Sequence, residues 1–174
     1  VLGILIFGDN PYGWRTLITI TGAVSVYLLG RIGYEISKDW KLALTSASLF
    51  AFDISSFNLS SIAMLDAPAM MFCLISTLFF LKRRWMSSGL AMGLALLSKM
   101  SSLFVLIALI VYKLFHDVYV SEDFPDGLRS WLRVAERMAI PAFIVMIMGL
   151  GIYDYIYGAY PTPFEHLDYM LSYH

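Results

Sequence analysis

Long apolar segments, separated by short polar or charged ones, run through most of the chain. They cover residues 16–33, 42–57, 62–81, 85–98, 101–115 and 138–158. No regular alternation of polar and apolar residues is visible in them, so the pattern is not that of half-buried strands. In hydrocarbon such segments are helical, because a helix pairs all of its backbone groups internally. We therefore predict an all-α, polytopic bundle of about six transmembrane helices.

The composition supports a membrane protein and excludes two other classes. Only 14% of the 174 residues are charged, and 59% are hydrophobic. A soluble domain has about 25% charged and about 45–50% apolar residues, which excludes a polar soluble enzyme. The net charge of −1 leaves no basic surplus for a nucleic acid partner. We expect an integral, multi-pass protein in a lipid bilayer, with a single transmembrane domain over residues 1–174.

The charged residues divide between the two ends of the predicted helices. If the six helices alternate in direction, all of the 12 lysines and arginines except Arg15 and Lys99 fall on one side. Positive residues concentrate on the cytoplasmic side of membrane proteins. This distribution therefore predicts that both ends of the chain are external, including a tail over residues 159–174.

The small residues of the segment 85–98 recur at four-residue spacing. They are Gly89 with Gly93, and Ala91 with Ala95. This spacing lets helices approach closely. We favour packing within the chain over a dimer interface.

The stretch 128–137 is amphipathic. One helical face carries Leu128, Trp131, Leu132 and Ala135. Another carries Arg129, Arg133 and Arg137 at four-residue spacing. This pattern predicts a cytoplasmic helix lying on an anionic leaflet, as a topological anchor or as a site for a lipid or a partner.

On the predicted external side the ionisable residues are few and mostly acidic. They are Asp9, Asp53, Asp66, Asp154, Glu165 and Asp168, together with His166, His174, Arg15 and Lys99. Ionisable groups near membrane spans are costly and often functional. Asp66 is either a helix N-cap, with Pro68 two residues later, or a site residue that needs a cation, hydroxyl or metal partner.

The two external cations and the histidines also have two interpretations each. Arg15 and Lys99 either extend to water from helix ends or bind an anion such as a phosphate. His166 and His174 are about 12 Å apart on a helix, so the two histidines cannot hold one ion together. One histidine with distant carboxylates still allows a divalent metal ion, and the cofactor stays unknown.

Four stretches of the sequence resemble segments of the dolichyl-phosphate-mannose–protein mannosyltransferase family, in family order. They are Phe7–Arg15, Ile62–Asp66, Gly93–Phe104 and Pro163–His174. The first resembles the segment that enters the family's second transmembrane helix, and the third its G-L-A-x-x-T-K-W-S-G-L-F stretch. Two positions depart from the family, since Ser61 stands near a common arginine and Met100 replaces a common tryptophan.

The resemblance implies a GT-C-type membrane glycosyltransferase. Such an enzyme moves a sugar, mannose or a similar one, from a polyprenyl-phosphate donor to an acceptor protein or glycan on the external face. By resemblance, Arg15 and Lys99 hold the donor phosphate and Asp66 is a candidate catalytic residue. Further external candidates follow from their position: Asp9, Glu165, His166 and His174.

The same resemblance places the family's catalytic acidic residue upstream of Val1. We therefore expect a fragment without the first span and the first external loop, inactive alone. The predicted location is a prokaryotic plasma membrane, with the endoplasmic reticulum as the alternative. A transporter or a non-catalytic membrane scaffold is the alternative function.

Overall fold

The structure, a computed structural model, describes residue 6 and residues 8–53, 66–120, 124–158 and 160–172. These residues form seven α-helices and one short 3-10 turn, with no strand among them. The helices are α1 (Pro11–Ser37), α2 (Trp40–Ala51), α3 (Asp66–Leu81), α4 (Trp85–Ser98), α5 (Leu103–Val120), α6 (Phe124–Tyr157) and α7 (Pro163–Ser172), and the 3-10 turn is Met100–Ser102. The predicted all-α fold is confirmed.

Three stretches of helix within the described residues are long and apolar enough to cross a membrane. They are Pro11–Ser37, Met100–Asp117 and Asp126–Tyr157. The helices α3 and α4 are apolar but shorter, with 16 and 14 residues. The predicted segments 42–57 and 62–81 both extend into residues 54–65, which lie outside the described part. The integral membrane class is supported, and the count of about six spans stays a prediction.

Capping residues set the ends of α1 and the start of α2. The Asn10 side chain accepts hydrogen bonds from the backbone N–H groups of Tyr12 and Gly13, at 2.9 and 3.0 Å. Helix α1 therefore begins five positions before the predicted residue 16, because a cap satisfies backbone groups that hydropathy does not detect. At the other end Lys38 adopts a left-handed conformation, with φ of 55°, and Asp39 then caps α2.

The helices α4 and α6 are in backbone contact. A Cβ added at Gly89 would lie 2.4 Å from the carbonyl oxygen of Met138, and one at Gly93 would lie 2.6 Å from Cβ of Val145. Farther along, one at Gly149 would meet Leu97. Since these contacts advance together along both helices, α4 and α6 run parallel. The small residues of α4 thus serve close packing within the chain.

Helices α3 and α4 form an antiparallel hairpin that two buried serines hold together. Ser76 Oγ donates to the carbonyl of Ser88 at 2.9 Å, and Ser88 Oγ donates to the carbonyl of Ser76 at 2.8 Å. Both side chains are fully buried. The reciprocal bonds satisfy polar groups that would otherwise be costly in the helix interface.

Where the sequence suggested a cytoplasmic helix 128–137 followed by a span 138–158, the structure has the single helix α6. Its buried residues continue at four-residue spacing through both segments: Val134, Met138, Ala142, Met146 and Leu150. Trp131 Nε1 also donates to the carbonyl of Ile110 in α5 at 2.9 Å. Part of the segment 128–137 therefore packs against the bundle through Trp131 and Val134, whereas Leu132 of the predicted apolar face is 45% exposed. Pro141 lies inside the helix without ending it.

A charged cluster lies near the end of α5. Lys113 forms an ion pair with Asp117, one helical turn later, and its Nζ lies 5.5 Å from the centre of the Trp85 ring. Nδ1 of His116 lies 3.4 Å from the same carboxylate oxygen of Asp117. Asp117 is only 9% exposed, so this cluster joins the start of α4 to the end of α5 in largely dry surroundings.

Candidate functional site

The hairpin of α3 and α4 brings Asp66 and Lys99 together. Asp66 is the first residue of α3 in the described chain, and Lys99 directly follows α4. Although 33 residues separate them, Lys99 Nζ and Asp66 Oδ1 form an ion pair. Their side chains are 47% and 29% exposed, respectively. The structure therefore joins two residues that the sequence analysis treated as separate candidates.

Backbone geometry at the end of α4 supports Lys99. The Lys99 N–H donates to the carbonyl of Ala95 at 2.9 Å, and the Lys99 carbonyl accepts from the N–H of Ser102 at 3.0 Å. Ser102 is 5% exposed, and its hydroxyl donates to the carbonyl of Ala95 at 3.2 Å. These bonds turn the chain from α4 into α5 and hold Lys99 at the corner.

An apolar cavity of about 430 Å³ opens beside the Asp66–Lys99 pair. Residues of α1, α2, α3 and the start of α5 line it, and most of them are small or apolar. Representative lining residues are Ala23, Val26, Phe50, Met70 and Val105. Asp66 and Lys99 are the charged residues of this lining. The arrangement suits a molecule with an apolar body and an anionic group.

Arg15 lines a second pocket on α1. That pocket has a volume of about 630 Å³ and shares Thr19 and Ala23 with the lining of the first. The exposed Arg15 side chain makes no ion pair among the residues that the structure describes. Asp9 is exposed and lies just before the cap of α1. The structure thus places Arg15 on the helix that separates the two pockets.

A second acid–base pair, which sequence reasoning missed, joins α6 to α7. His166 Nδ1 lies 2.8 Å from Oδ1 of Asp154, which is 5% exposed. The imidazole stacks on Tyr160, with ring centres 4.5 Å apart. Burial, followed by repulsion from Tyr169 and Asp154, raises the pKa of Tyr160. The sequence signal for this pair is an aspartate near the end of an apolar span, Asp154, followed by His166 after the next turn.

The described ones among the remaining external candidates do not gather into a metal centre. Glu165 and Asp168 are exposed on α7. Within the described ranges, no group of three or more His, Cys, Asp and Glu residues is arranged to hold a metal ion. His174 lies outside the described residues.

The two acid–base pairs lie toward the same end of the bundle. Leu97 of α4 meets Gly149 of α6, and both helices run in the same direction from that contact. Lys99 follows Leu97 and Asp154 follows Gly149, so both pairs stand beyond the contact on neighbouring helices. The Asp66–Lys99 and Asp154–His166 pairs therefore share one end of the described bundle.

The fold and the site together define an integral membrane protein whose apolar cavity opens beside a charged pair. The family model for dolichyl-phosphate-mannose-protein mannosyltransferase matches residues 1–126, and the chain belongs to this family. This membership indicates a membrane glycosyltransferase of the GT-C type. Arg15, Asp66 and Lys99 all lie within the matched residues. Comparison with curated proteins and with solved structures gave no match.

Proposed function

We propose that this protein transfers a sugar, mannose or a similar one, from a polyprenyl-phosphate donor to a protein or other acceptor on the external face of the membrane. The observation that carries the proposal is the Asp66–Lys99 pair beside the apolar cavity. The distribution of basic residues favours external chain ends, and we propose a prokaryotic plasma membrane as the location.

The donor has two chemically different parts, and the site offers a partner for each. The polyprenyl chain is apolar and suits the cavity between α1, α2 and α3. The phosphate is an anion, and Lys99 supplies a cation held at the corner that follows α4. When the sugar leaves, charge grows on the phosphate, and a fixed cation stabilises that charge.

The ion pair with Asp66 positions the Lys99 side chain but restrains it only weakly. The pair is partly exposed, and such ion pairs contribute about 0–1 kcal/mol. An incoming phosphate can therefore replace Asp66 as the partner of Lys99. The released carboxylate is then available to an acceptor hydroxyl or to a divalent ion. Arg15, which lines the neighbouring second pocket, supplies a second cation for the phosphate in this proposal.

Four candidate residues form the acceptor side in this proposal. They are Asp9, Glu165, His166 and His174. Among them His166 is the best positioned, because Asp154 and Tyr160 hold its ring.

The test is sugar transfer by the complete gene product in proteoliposomes supplied with radiolabelled polyprenyl-phosphate-mannose. Substituting Lys99→Met removes the cation for the leaving phosphate, and we expect transfer to fall about 100-fold. Asp66→Asn should also lower transfer. The matched control is Lys41→Met, which removes an exposed lysine from the other end of α1 and α2 and should leave the rate unchanged.

Transfer at the wild-type rate in Lys99→Met or Asp66→Asn would overturn the assigned site. Uptake of the labelled sugar without any transfer would instead favour a transporter. If Lys41→Met lowers transfer as strongly as Lys99→Met, the losses come from impaired folding or insertion and not from a local effect at Lys99.

A further inference from the structure

Among the described residues, several basic side chains at the end of the bundle opposite the Asp66–Lys99 pair form no ion pair. Lys38 pairs with Glu35 at 2.9 Å, and Lys113 pairs with Asp117. Arg129 of α6 contacts Asp126 at 3.9 Å, and four other arginines differ from these residues. Within the described ranges, no ion pair is formed by Arg83, Arg84, Arg133 or Arg137.

The contact between α4 and α6 places these arginines at the same end of the two helices. Arg84 lies five residues before Gly89, and Arg133 lies five residues before Met138. Gly89 lies against the backbone of Met138. Because the two helices are parallel, Arg84 and Arg133 stand at the same height. Trp85 also packs against the cluster that contains Val134 and Met138.

Backbone hydrogen bonds hold the turn after α3, so the backbone positions of its two arginines are defined. The backbone N–H of Arg83 donates to Phe80 and that of Arg84 to Phe79, both at 2.9 Å. Arg83 takes a left-handed conformation, with φ of 57°. Both side chains are exposed, as are those of Arg133 and Arg137. The nearby Glu136 is exposed and forms no ion pair with the arginines of the described chain.

Apolar side chains continue from the arginines toward the middle of the bundle. Met86 and Leu90 are exposed on α4, and Ile140 is exposed on α6. A ligand that fits this surface has an anionic head beside the arginines and apolar chains along α4 and α6. Guanidinium groups bind phosphate oxygens in a bidentate manner, which a lysine cannot do.

We propose that Arg83, Arg84, Arg133 and Arg137 form a binding site for the phosphate group of an anionic phospholipid, at the end of the α4–α6 contact. Basic pockets of this kind on the cytoplasmic side of transmembrane helices bind anionic head groups. The proposal does not depend on sugar transfer, because none of these residues lies in the cavity beside Lys99. It assigns the arginines of the segment 128–137 to a lipid rather than to a protein partner.

The experiment measures phosphatidylglycerol bound to the purified complete protein by native mass spectrometry, with phosphatidylcholine as the neutral reference. Each arginine lost from the surface should weaken the binding about 5-fold, so Arg84→Gln/Arg133→Gln should raise the Kd about 25-fold. The matched control is Lys38→Gln/Lys41→Gln, which removes two cations from the same end of the molecule. The control should change the Kd much less, since it leaves all four arginines intact.

The variant Arg84→Lys/Arg133→Lys keeps both charges and is the second test if the glutamine variant does not fold. It should still lose part of its preference for phosphatidylglycerol, because an ammonium group cannot bind a phosphate in a bidentate manner. An equal loss in the Lys38/Lys41 control would overturn the proposal in favour of general charge attraction. Unchanged binding in both arginine variants would also overturn it.

Discussion

Two lysine–aspartate pairs of the same chemistry occupy different environments in this bundle. Lys113 and Asp117 lie one turn apart on α5, with side chains 16% and 9% exposed. Lys99 and Asp66 connect two helices, with side chains 47% and 29% exposed. The lysines are separated by roughly 20 Å along the direction of α5. The first pair is enclosed by Trp85 and His116, whereas the second borders an apolar cavity.

The difference in exposure determines what each pair can do. Separating two charges in dry surroundings leaves each without water, so a buried pair does not exchange partners easily. A partly exposed pair loses little when water or another ion replaces one member. The inner pair, Lys113–Asp117, therefore stabilises the bundle. The outer pair, Asp66–Lys99, is the one that releases its lysine to an anionic ligand in the proposed function.

The largest effect that this comparison predicts is on stability at the inner pair. Lys113→Met leaves the buried Asp117 without its cation, and we expect the free energy of unfolding to fall by about 3 kcal/mol. Denaturant unfolding in detergent micelles measures the change. Lys38→Met is the control, because it breaks an exposed pair with Glu35 at the same end and should cost less than about 1 kcal/mol. Equal losses in both variants would contradict the distinction between the pairs.

Backbone packing should show a similar difference between the two ends. In Gly89→Ala the new methyl group would meet the backbone of Met138 at 2.4 Å, so we expect a loss of about 1–3 kcal/mol. In Gly151→Ala the methyl group meets only the Pro163 ring, at 3.3 Å. This control should be nearly neutral, since the helix gains about 0.4–1 kcal/mol from losing a glycine. Thermal unfolding of both variants measures the two changes in stability. A larger loss of stability for Gly151→Ala would show that the helices pack more tightly at Gly151 than at Gly89.

Much of the fold follows from the sequence, and the exceptions have identifiable causes. Hydropathy predicted the helix 85–98 with the bounds that α4 has, because charged residues flank it on both sides. It missed the start of α1, where Asn10 and not hydropathy sets the boundary. It also divided α6 at residue 138. The arginines on its exposed face concealed an apolar stripe that continues on the buried face.

The site was predictable as a set of residues but not as an arrangement. Asp66 and Lys99 were each identified, yet their pairing depends on the length of the α3–α4 hairpin, which returns the end of α4 to the start of α3. The cavity depends further on how α1 and α2 pack beside that hairpin. Asp154 and His166 meet because α7 folds back onto α6, and helix direction after a turn is not encoded in local hydropathy.

The smallest predicted effect tests whether the outer pair exchanges its partner. Asp66→Asn removes the competing carboxylate, so the free energy of unfolding should fall by less than about 1 kcal/mol. The affinity for a polyprenyl phosphate should rise about 5-fold, since the phosphate no longer has to displace Asp66 from Lys99. Titration of the purified complete protein with the polyprenyl phosphate, followed by thermal shift, measures both quantities.

Asp168→Asn is the matched control for that titration, because it removes an exposed carboxylate at the same end of the bundle. It should leave the affinity unchanged, which separates a local effect at Lys99 from a general gain in positive charge. Weaker binding in Asp66→Asn would mean that the carboxylate itself helps to hold the phosphate, for example through a divalent ion. The outer pair would then be a fixed part of the binding site, and its contrast with the buried Lys113–Asp117 pair would lie only in exposure to water.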